Sequence, residues 1–544
     1  MVEQFDHLMV RQIYNNIPFE QQQKFRREAR ARAKRQRDSA QPQERGEAPK
    51  EDSMTTVPKE MSSARTERET KSRDLRDWMA AVNRIGELKH IDGADWDVEI
   101  GTVTEMGHHR GERSHALLFD DIKGYPKGYR VLSNTLNTAK RLAVTMHMDI
   151  KGNRLDIVRD MRERLNNLNY IPPQYVDDGP ILENVFKGDQ IDMWKFPTPK
   201  WHELDGGRYI GTGSVDITAD PDTGWVNLGT YRVMIHDRDT LGFYISPGKQ
   251  GRIMREKYFA KGQACKVAMS FGQDPLIYLA GGIEVPHGLS EYEWVGAVQG
   301  GAVPVIKGEY TGLPIPAYSE IVVEGEALPD QKLPEGPFGE WTGYYASDVR
   351  PEPIIKVKRL YHRNNPIILG APPTRPPCEF NYMRCFLRSA LIWKQMEAAG
   401  VPDVTGVWCH ESGGARLYVF VSIKQRYPGH ARQAGMIASY CHVGAYLGRY
   451  VIVVDDDIDV TNTNDVLWAM ATRSDPESDI EIVRRSWSGP LDPVIPREKK
   501  GHNSRAIIDA CRPYEWRDQF PPVAESSPEV RRAAEAKWGK ILDE

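Results

Sequence analysis

Residues 209–235 read YIGTGSVDITADPDTGWVNLGTYRVMI. Two β-rich runs, YIGTGSVDIT and WVNLGTYRVMI, flank the turn Asp220-Pro-Asp-Thr-Gly224. β-Branched and aromatic residues favour a pleated, half-buried surface, and a Pro/Asp/Gly cluster interrupts it. The stretch therefore predicts paired strands. The same texture spreads outward, from about Asp192 to Lys358, through LGFYIS, EIVVEG and PIIKVKRLYH. A mainly β unit, sheet or barrel, is expected there, with short helices at 249–262 and 288–300.

Beyond this unit the pattern changes on both sides. A Pro-rich crossing, GAPPTRPP, occupies 370–377. After it, helices are expected at 380–399, 428–447 and 463–471, and strands at 404–410, 415–423 and 450–454. Strands alternating with helices predict a parallel sheet. Upstream, Leu75, Trp78, Met79 and Val82 fall at i, i+3, i+4 and i+7, one face of a helix. Mixed α/β patterning follows to about Tyr175.

Residues 1–73 differ from the rest. The run KFRREARARAKRQR at 24–37 holds eight basic residues and one acid. Between Gln36 and Asp74 there is no Leu, Ile, Phe, Trp or Tyr. Such a segment buries too little apolar area to offset its ordering entropy. It is expected to be a partly basic extension, helical at most over 1–22, with a linker over 38–72. A basic run can bind an acidic partner or nucleic acid, but a solvated helix face or tail is the simpler reading.

The expected fold class is α/β with α+β character. The expected division is an extension at 1–73, an N-terminal α/β portion at 74–191, and a β-barrel unit at 192–369. A C-terminal α/β domain at 370–515 and a helical tail at 516–544 complete it.

Composition excludes several classes. The 544 residues carry 72 basic and 76 acidic side chains, a net charge of −4, without the basic excess of a nucleic-acid binder. No apolar run approaches the ~18 residues of a membrane span. The N-terminus, MVEQFDHLMVRQ, lacks a basic region followed by an apolar core, so it is no secretory signal. The six cysteines form no CxxC pair, which argues against a zinc knuckle or a disulfide frame. A reduced, cytoplasmic protein with no membrane or nucleic-acid partner is expected.

Four constellations carry candidate chemistry. Asn227 and Arg232 lie on one β-rich run at odd separation, so they face opposite sides unless a bulge near Gly229 re-aims one. Arg232 is a guanidinium fork for a carboxylate or phosphate, or the partner of an inter-strand salt bridge. Glu335-Gly-Pro-Phe-Gly-Glu340 sets two carboxylates on a turn that cannot be helical. Such a pair suits acid/base work, because neighbours can push the two pKa values apart. Ser290-Glu-Tyr-Glu293 starts a helix, where carboxylates cap or ligate a metal. Asp455-Asp-Asp-Ile-Asp459 leaves a buried strand, where acids bind Mg²⁺ or merely cap the exit. His410 and His442 each follow a cysteine and read more simply as structural histidines. No phosphate loop, HExxH or GxSxG motif is present.

Together these segments resemble the UbiD family of decarboxylases, which use prenylated flavin mononucleotide. The resemblance runs from about Asp74 to Arg512. It includes DLRDWMAAVNRIGELKHID, ALLFDDIKGYP, TADPDTGWVNLGTYR, GLSEYEWVGAVQG, PAYSEIVVEGEALP, PEGPFGEWTGYY, VVDDDIDV and WAMATRSDPESDI, in order. It implies an N-terminal α/β portion with a flavin-binding split β-barrel, a connecting helix and a C-terminal α/β domain that makes oligomer contacts. Arg232 matches the arginine that holds the substrate carboxylate. Glu335 matches the glutamate paired with it, and Glu340 the acid/base that protonates carbon after CO₂ leaves. Asn227 and Glu291 match two ligands of a divalent metal, commonly Mn²⁺ with Mg²⁺ or Fe²⁺ as alternatives, which clamps the cofactor phosphate beside K⁺. Thr230, Tyr231, Gln250, Gly282 and Arg449 complete the implied cofactor-binding set.

Two positions depart from the family. Its third metal ligand is typically a histidine, but no histidine lies between His236 and His287. Gln250, or alternatively Lys249, takes that place, and a neutral amide oxygen is a weaker ligand for softer metals. Arg449 stands where the family often has a lysine near the flavin; the charge is kept and the geometry is not. The implied activity is reversible non-oxidative decarboxylation of an aromatic, heteroaromatic or α,β-unsaturated acid. A flavin prenyltransferase would supply the cofactor, and a homo-oligomer, dimer or hexamer, is expected. A non-catalytic subunit of a carboxylase complex is the alternative, although a scaffold need not keep Arg232, Glu335 and Glu340 together. An ordinary flavoprotein would not need the two carboxylates of the EGPFGE turn.

Overall fold

The computed structural model describes residues 74–542 except 150, 151, 284, 287, 347, 490 and 500. The expectations for 1–73 lie outside the described residues. The first helix, Leu75–Arg84, forms as its spacing predicts. Asp74 caps it by accepting the N–H of Asp77 at 2.8 Å, and Leu75, Trp78, Met79 and Val82 are its buried face. Beside it lies a four-stranded sheet in the order Leu88–Asp92, Ala116–Asp120, Arg130–Ser133, Ile367–Gly370. The two outer pairs are parallel and the middle one antiparallel.

The central sheet has ten strands, all paired antiparallel. Its main path runs Arg208–Gly211, Val233–Asp237, Thr240–Gly242, Arg350–His362, Ile321–Ala327, Cys265–Ser270, Val215–Ala219, Val226–Gly229. Asn184–Lys187 and Lys332–Glu335 also pair with the long strand. Pairing thus crosses both edges of the expected 192–369 unit: Asn184–Lys187 joins the central sheet, and Ile367–Gly370 joins the N-terminal one. The short helices appear as Gln250–Ala260 and Glu291–Gln299.

Both faces of this sheet are covered. Val215, Ile217, Leu228 and Ala268 enter the larger core shared with the N- and C-terminal parts. Val267, Met269, Val323 and Leu360 enter a second core inside the curl, with Tyr209, Ile235 and Phe243. Polar side chains on these strands are therefore buried on either face, and each needs a reason to be there.

The connecting helix is Glu379–Ala398. The C-terminal sheet follows the order Val404–Cys409, Tyr418–Ile423, Tyr450–Asp455, His502–Ala510, Ile480–Trp487. The parallel sheet expected here is corrected to a mixed one: the two inner pairs are parallel and the two outer pairs antiparallel. The connection at 410–417 is too short for a crossover, so its two strands must run antiparallel. The helix expected at 428–447 stops at Tyr440. The chain folds back so tightly that a Cβ on Gly444 would lie 2.0 Å from the Ala438 carbonyl oxygen. Among the described residues no helix is long and apolar enough to cross a membrane.

Candidate active site

Strand Val226–Gly229 ends early, so Asn227 and Arg232 do not share a continuous strand as the sequence suggested. Thr230 turns away, its N–H donating to the Gly281 carbonyl at 3.1 Å, and Arg232 rejoins the sheet only through an isolated bridge to Tyr244. The break frees Arg232 from the alternation of the strand. Its Nε and Nη2 donate to Glu335 at 2.8 and 2.7 Å, and Nη1 donates to Glu340 at 2.9 Å. The guanidinium lies 4.1 Å from the centroid of the Tyr244 ring. Arg232 and Glu335 are 9% and 1% exposed, so this is a desolvated pair and its charge-assisted bonds are strong.

Glu335 ends the strand Lys332–Glu335, and the Gly336–Pro337 peptide is cis. Gly336 has φ +89°, a left-handed conformation that glycine adopts freely. Gly206 backs the turn so closely that a Cβ there would lie 2.0 Å from the Gly336 oxygen. Tyr209, fully buried, donates its hydroxyl to Glu335 at 3.1 Å and packs on Phe338 at 4.0 Å. Burial pushes the Tyr209 phenol up, and the Glu335 carboxylate adds to that shift. Burial also pushes Glu340 up to about 7, assisted by the Glu335 charge and opposed by Arg232. Two carboxylates therefore sit on one arginine in unequal environments, the arrangement that separates a fixed anion from a proton carrier.

The second group of sequence candidates gathers at the other end of the same stretch. Glu291 accepts the Asn227 amide at 2.9 Å and the Leu228 N–H at 2.7 Å, and burial pushes its carboxyl up to about 8. Asn227 Oδ1, Thr230 Oγ1 and Ser290 Oγ are buried without hydrogen-bond partners. The hydroxyls of Thr230 and Ser290 can donate to a cofactor phosphate, and the acceptor Asn227 Oδ1 fits a hard divalent cation, which takes oxygen ligands. Tyr231 accepts the Gly251 N–H at 3.1 Å through its hydroxyl. Gln250 is the first residue of that helix, and no hydrogen bond among the described residues joins its amide to Asn227 or Glu291. Gly282 caps the helix Pro275–Gly281, and its carbonyl accepts Arg384 Nε at 2.8 Å.

Arg449 lies apart from this group, just before strand Tyr450–Asp455 of the C-terminal sheet, with its guanidinium 2.5 Å from buried Asp492. In the Asp455–Asp459 run, arginines take up two of the acids. Arg473 bridges Asp455 and Asp457 at 3.0 and 2.9 Å, and Arg512 also pairs with Asp457. His410 is satisfied by Thr463 at 2.6 Å and by the Ser412 N–H at 3.1 Å, and the six cysteines are free.

Sequence reasoning missed three contributors. Tyr209 stands on a strand remote in sequence from Glu335. Trp341, next to Glu340, packs on Gly414 of the C-terminal domain, and its carbonyl accepts the Asn381 amide at 2.9 Å. Asp216 is fully buried and accepts the Tyr231 N–H at 3.1 Å, and burial pushes its carboxyl well up. A lone acid inside SVDIT was the available signal, since a charge there is costly unless something meets it.

Three family models cover most of the chain. The UbiD carboxy-lyase models, described as those of 3-octaprenyl-4-hydroxybenzoate carboxy-lyase, match as N-terminal domain at 79–164, Rift-related domain at 174–376 and C-terminal domain at 381–510. The chain is similar to a pyrrole-2-carboxylic acid decarboxylase of Pseudomonas aeruginosa, with 32% identity over 486 residues, 86% of this chain and 97% of that one. Among solved structures it is similar to Sedimentibacter hydroxybenzoicus vanillic acid decarboxylase in open form, at TM-score 0.75 and 29% identity, covering 87% of this chain and 100% of that one. It is also similar to an evolved dimeric form of the UbiD-class enzyme HmfF from Pelotomaculum thermopropionicum in complex with prFMN. That match has TM-score 0.72 and 26% identity, covering 85% of this chain and 98% of that one.

Proposed function

The chain belongs to the UbiD family and is a carboxy-lyase of that class using prenylated FMN; from this premise we propose which residues do the work and on what substrate. The observation that carries the reading is the three-way contact of Arg232 with Glu335 and Glu340. The substrate is an aryl or heteroaryl carboxylate, and the relative that acts on pyrrole-2-carboxylic acid supports that class. Losing CO₂ from an sp² carbon leaves electrons that no side chain can delocalise, and prenylated flavin, when bound, would supply the electron sink.

The protein supplies position and protons. Glu335 occupies Nε and Nη2 of Arg232, which fixes the guanidinium plane. Nη1 is the edge a substrate carboxylate can share, and Glu340 holds it in this structure. Glu340, with its pKa near neutrality, gives its proton to carbon as the acid and is reprotonated by solvent. Asn227 and Glu291, with Gln250 nearby, would hold a divalent cation, Mn²⁺ first, against the cofactor phosphate, with K⁺ alongside. Thr230, Tyr231 and Gly282 would line the cofactor; Arg449, bonded to Asp492 in the C-terminal domain, falls outside this set. The helix Pro528–Leu542 exposes Val530, Trp538, Ile541 and Leu542, which supports self-association as a homo-oligomer.

The test is co-expression with a flavin prenyltransferase, anaerobic purification, and a screen of pyrrole, furan and hydroxybenzoic acids for CO₂ release. Prenylated flavin by mass and turnover of at least one acid are expected. A chain that binds no prenylated flavin would overturn the reading.

A further inference from the structure

The C-terminal sheet carries a cavity that the reaction leaves unused. About 730 Å³ in volume, it lies between the start of strand Tyr450–Asp455, the edge strand Ile480–Trp487, and the chain from Val494 into strand His502–Ala510. Its lining holds five cations, Arg449, Arg484, Arg485, Lys499 and Arg505, against one carboxylate, Glu498. The whole chain has a net charge of −4, so this excess of positive charge is local and not a reflection of composition.

Two of the cations are set by a β-bulge. Val483 pairs with Arg505 and Ser486 with Asn503, so Arg484 and Arg485 together oppose the single residue Ser504. Arg485 takes φ +60°, a left-handed backbone that is costly for an arginine. Both arginines are exposed, and neither they nor Lys499 pair with a carboxylate among the described residues. The floor of the cavity is buried and polar. Arg505 is 1% exposed; it donates to the carbonyls of Ser439, Gly444, Ala445 and Trp487, and its Nε has no partner. Burial pushes the Arg505 guanidinium down, and no carboxylate is among the groups that oppose the shift. Asn503 gives its amide to the Gly448 carbonyl at 3.2 Å and leaves Oδ1 buried without a partner. A buried cation held only by neutral dipoles is costly unless an anion comes to it.

Arg449 is already matched, by Asp492. The other four cations exceed what a single carboxylate needs, and forked guanidiniums suit phosphate oxygens. At the rim Tyr450, Ile482 and Val494 expose apolar surface, a seat for a ring. The volume falls within the roughly 300–1,000 Å³ of small-molecule sites. We propose that this cavity binds an organic phosphate of nucleotide size, with its phosphates on Arg484, Arg485 and Lys499 and its ring against Tyr450 and Ile482.

The full chain with its flavin bound is titrated with ATP, and separately with pyrophosphate, by isothermal calorimetry. The double variant Arg484→Gln, Arg485→Asn removes both charges, and asparagine tolerates the left-handed backbone at 485. ATP is expected to bind the wild type more tightly than pyrophosphate does. In the double variant it is expected to bind about tenfold more weakly or worse, with flavin content and Tm unchanged. Ile482→Ser is expected to weaken ATP and leave pyrophosphate as it was. Undiminished ATP affinity in the double variant, or no binding to the wild type, overturns the site. ATP that displaces the flavin belongs to the cofactor site and overturns it too. Equal affinity for ATP and pyrophosphate overturns the organic ligand. Sedimentation at several protein concentrations tests the other occupant: self-association that the double variant abolishes, without ATP binding, makes the cavity an interface between copies and overturns the proposal.

Discussion

Arg232 gives Glu335 two hydrogen bonds, at 2.7 and 2.8 Å, and Glu340 only one. The asymmetry separates the two carboxylates. The one held by both prongs is fixed in place, and the other has one contact to exchange. Glu335→Gln breaks a two-pronged buried pair and is expected to lower stability by roughly 3–5 kcal/mol and to abolish turnover. Glu340→Gln loses one contact of a group already prone to be neutral. It is expected to melt within a few degrees of wild type, keep its cofactor, and lose roughly 10²–10⁴-fold in kcat. Thermal melts and cofactor spectra on the two variants check the contrast; full activity in Glu340→Gln would remove Glu340 from the reaction.

The shift of Glu340 to about 7 from an ordinary 4.5 sets a pH dependence. Its folded pKa lies above its unfolded one, so between these values the folded chain binds more protons. Its contribution to stability therefore falls as pH rises from about 4.5 to about 7, then levels off. In the proposed role the acid form of Glu340 delivers the proton, so kcat is expected to decline as pH rises through about 7. Denaturant melts and kcat measured from pH 5 to 9, a range of about two units on either side, should show both, and Glu340→Gln should flatten the stability slope.

Tyr209 is a positioning residue in this scheme. Its hydroxyl steadies the Glu335 oxygen that also takes Arg232 Nε. Tyr209→Phe keeps the packing on Phe338 and removes one donor from a buried carboxylate, a loss of about 1–3 kcal/mol. The expected outcome is a lower kcat with little change in KM, and a shifted upper limb of the pH profile. A merely structural role would lower Tm and leave the pH profile where it was.

Much of this was legible in the sequence where local pattern and long-range packing agree. Leu75, Trp78, Met79 and Val82 formed the buried helix face their spacing required, and the helices at 250–260 and 291–299 fell inside the expected spans. Arg232, Glu335 and Glu340 were named from the sequence, and they meet in space. What the sequence hid depends on tertiary pairing. The strand break after Gly229 is imposed by the Thr230–Gly281 hydrogen bond, which no local propensity announces. The Arg449–Asp492 and Tyr209–Glu335 contacts join residues far apart in the chain. The mixed C-terminal sheet turned on the length of one connection, at 410–417.

The acidic run at Asp455–Asp459 is structural. Arg473, 5% exposed, bridges Asp455 and Asp457, so its removal takes the guanidinium from Asp455 near the end of a buried strand, while Asp457 keeps Arg512. Arg473→Met is expected to cost about 3–5 kcal/mol without changing bound metal per chain. Denaturant titration and metal analysis of the purified variant distinguish this from a metal-binding run, which would lose metal first.

The last prediction concerns the contact between the Glu340 turn and the C-terminal domain. Trp341 follows Glu340 directly and covers Gly414, where a Cβ would lie 2.3 Å from the indole. Gly414 also has φ +63°, a backbone conformation costly for alanine. Gly414→Ala therefore adds strain and pushes Trp341, and with it the Glu340 turn. Gly400 is the control: its φ is +82°, but no atom lies within 4 Å of a Cβ built there. Gly400→Ala is expected to cost about 1–2 kcal/mol, from alanine at positive φ, and to leave kcat unchanged. Gly414→Ala should lower kcat well beyond what its loss of stability explains, measured at a temperature where both variants are fully folded. Equal kcat in the two would show that the Glu340 turn does not depend on the C-terminal domain for its position.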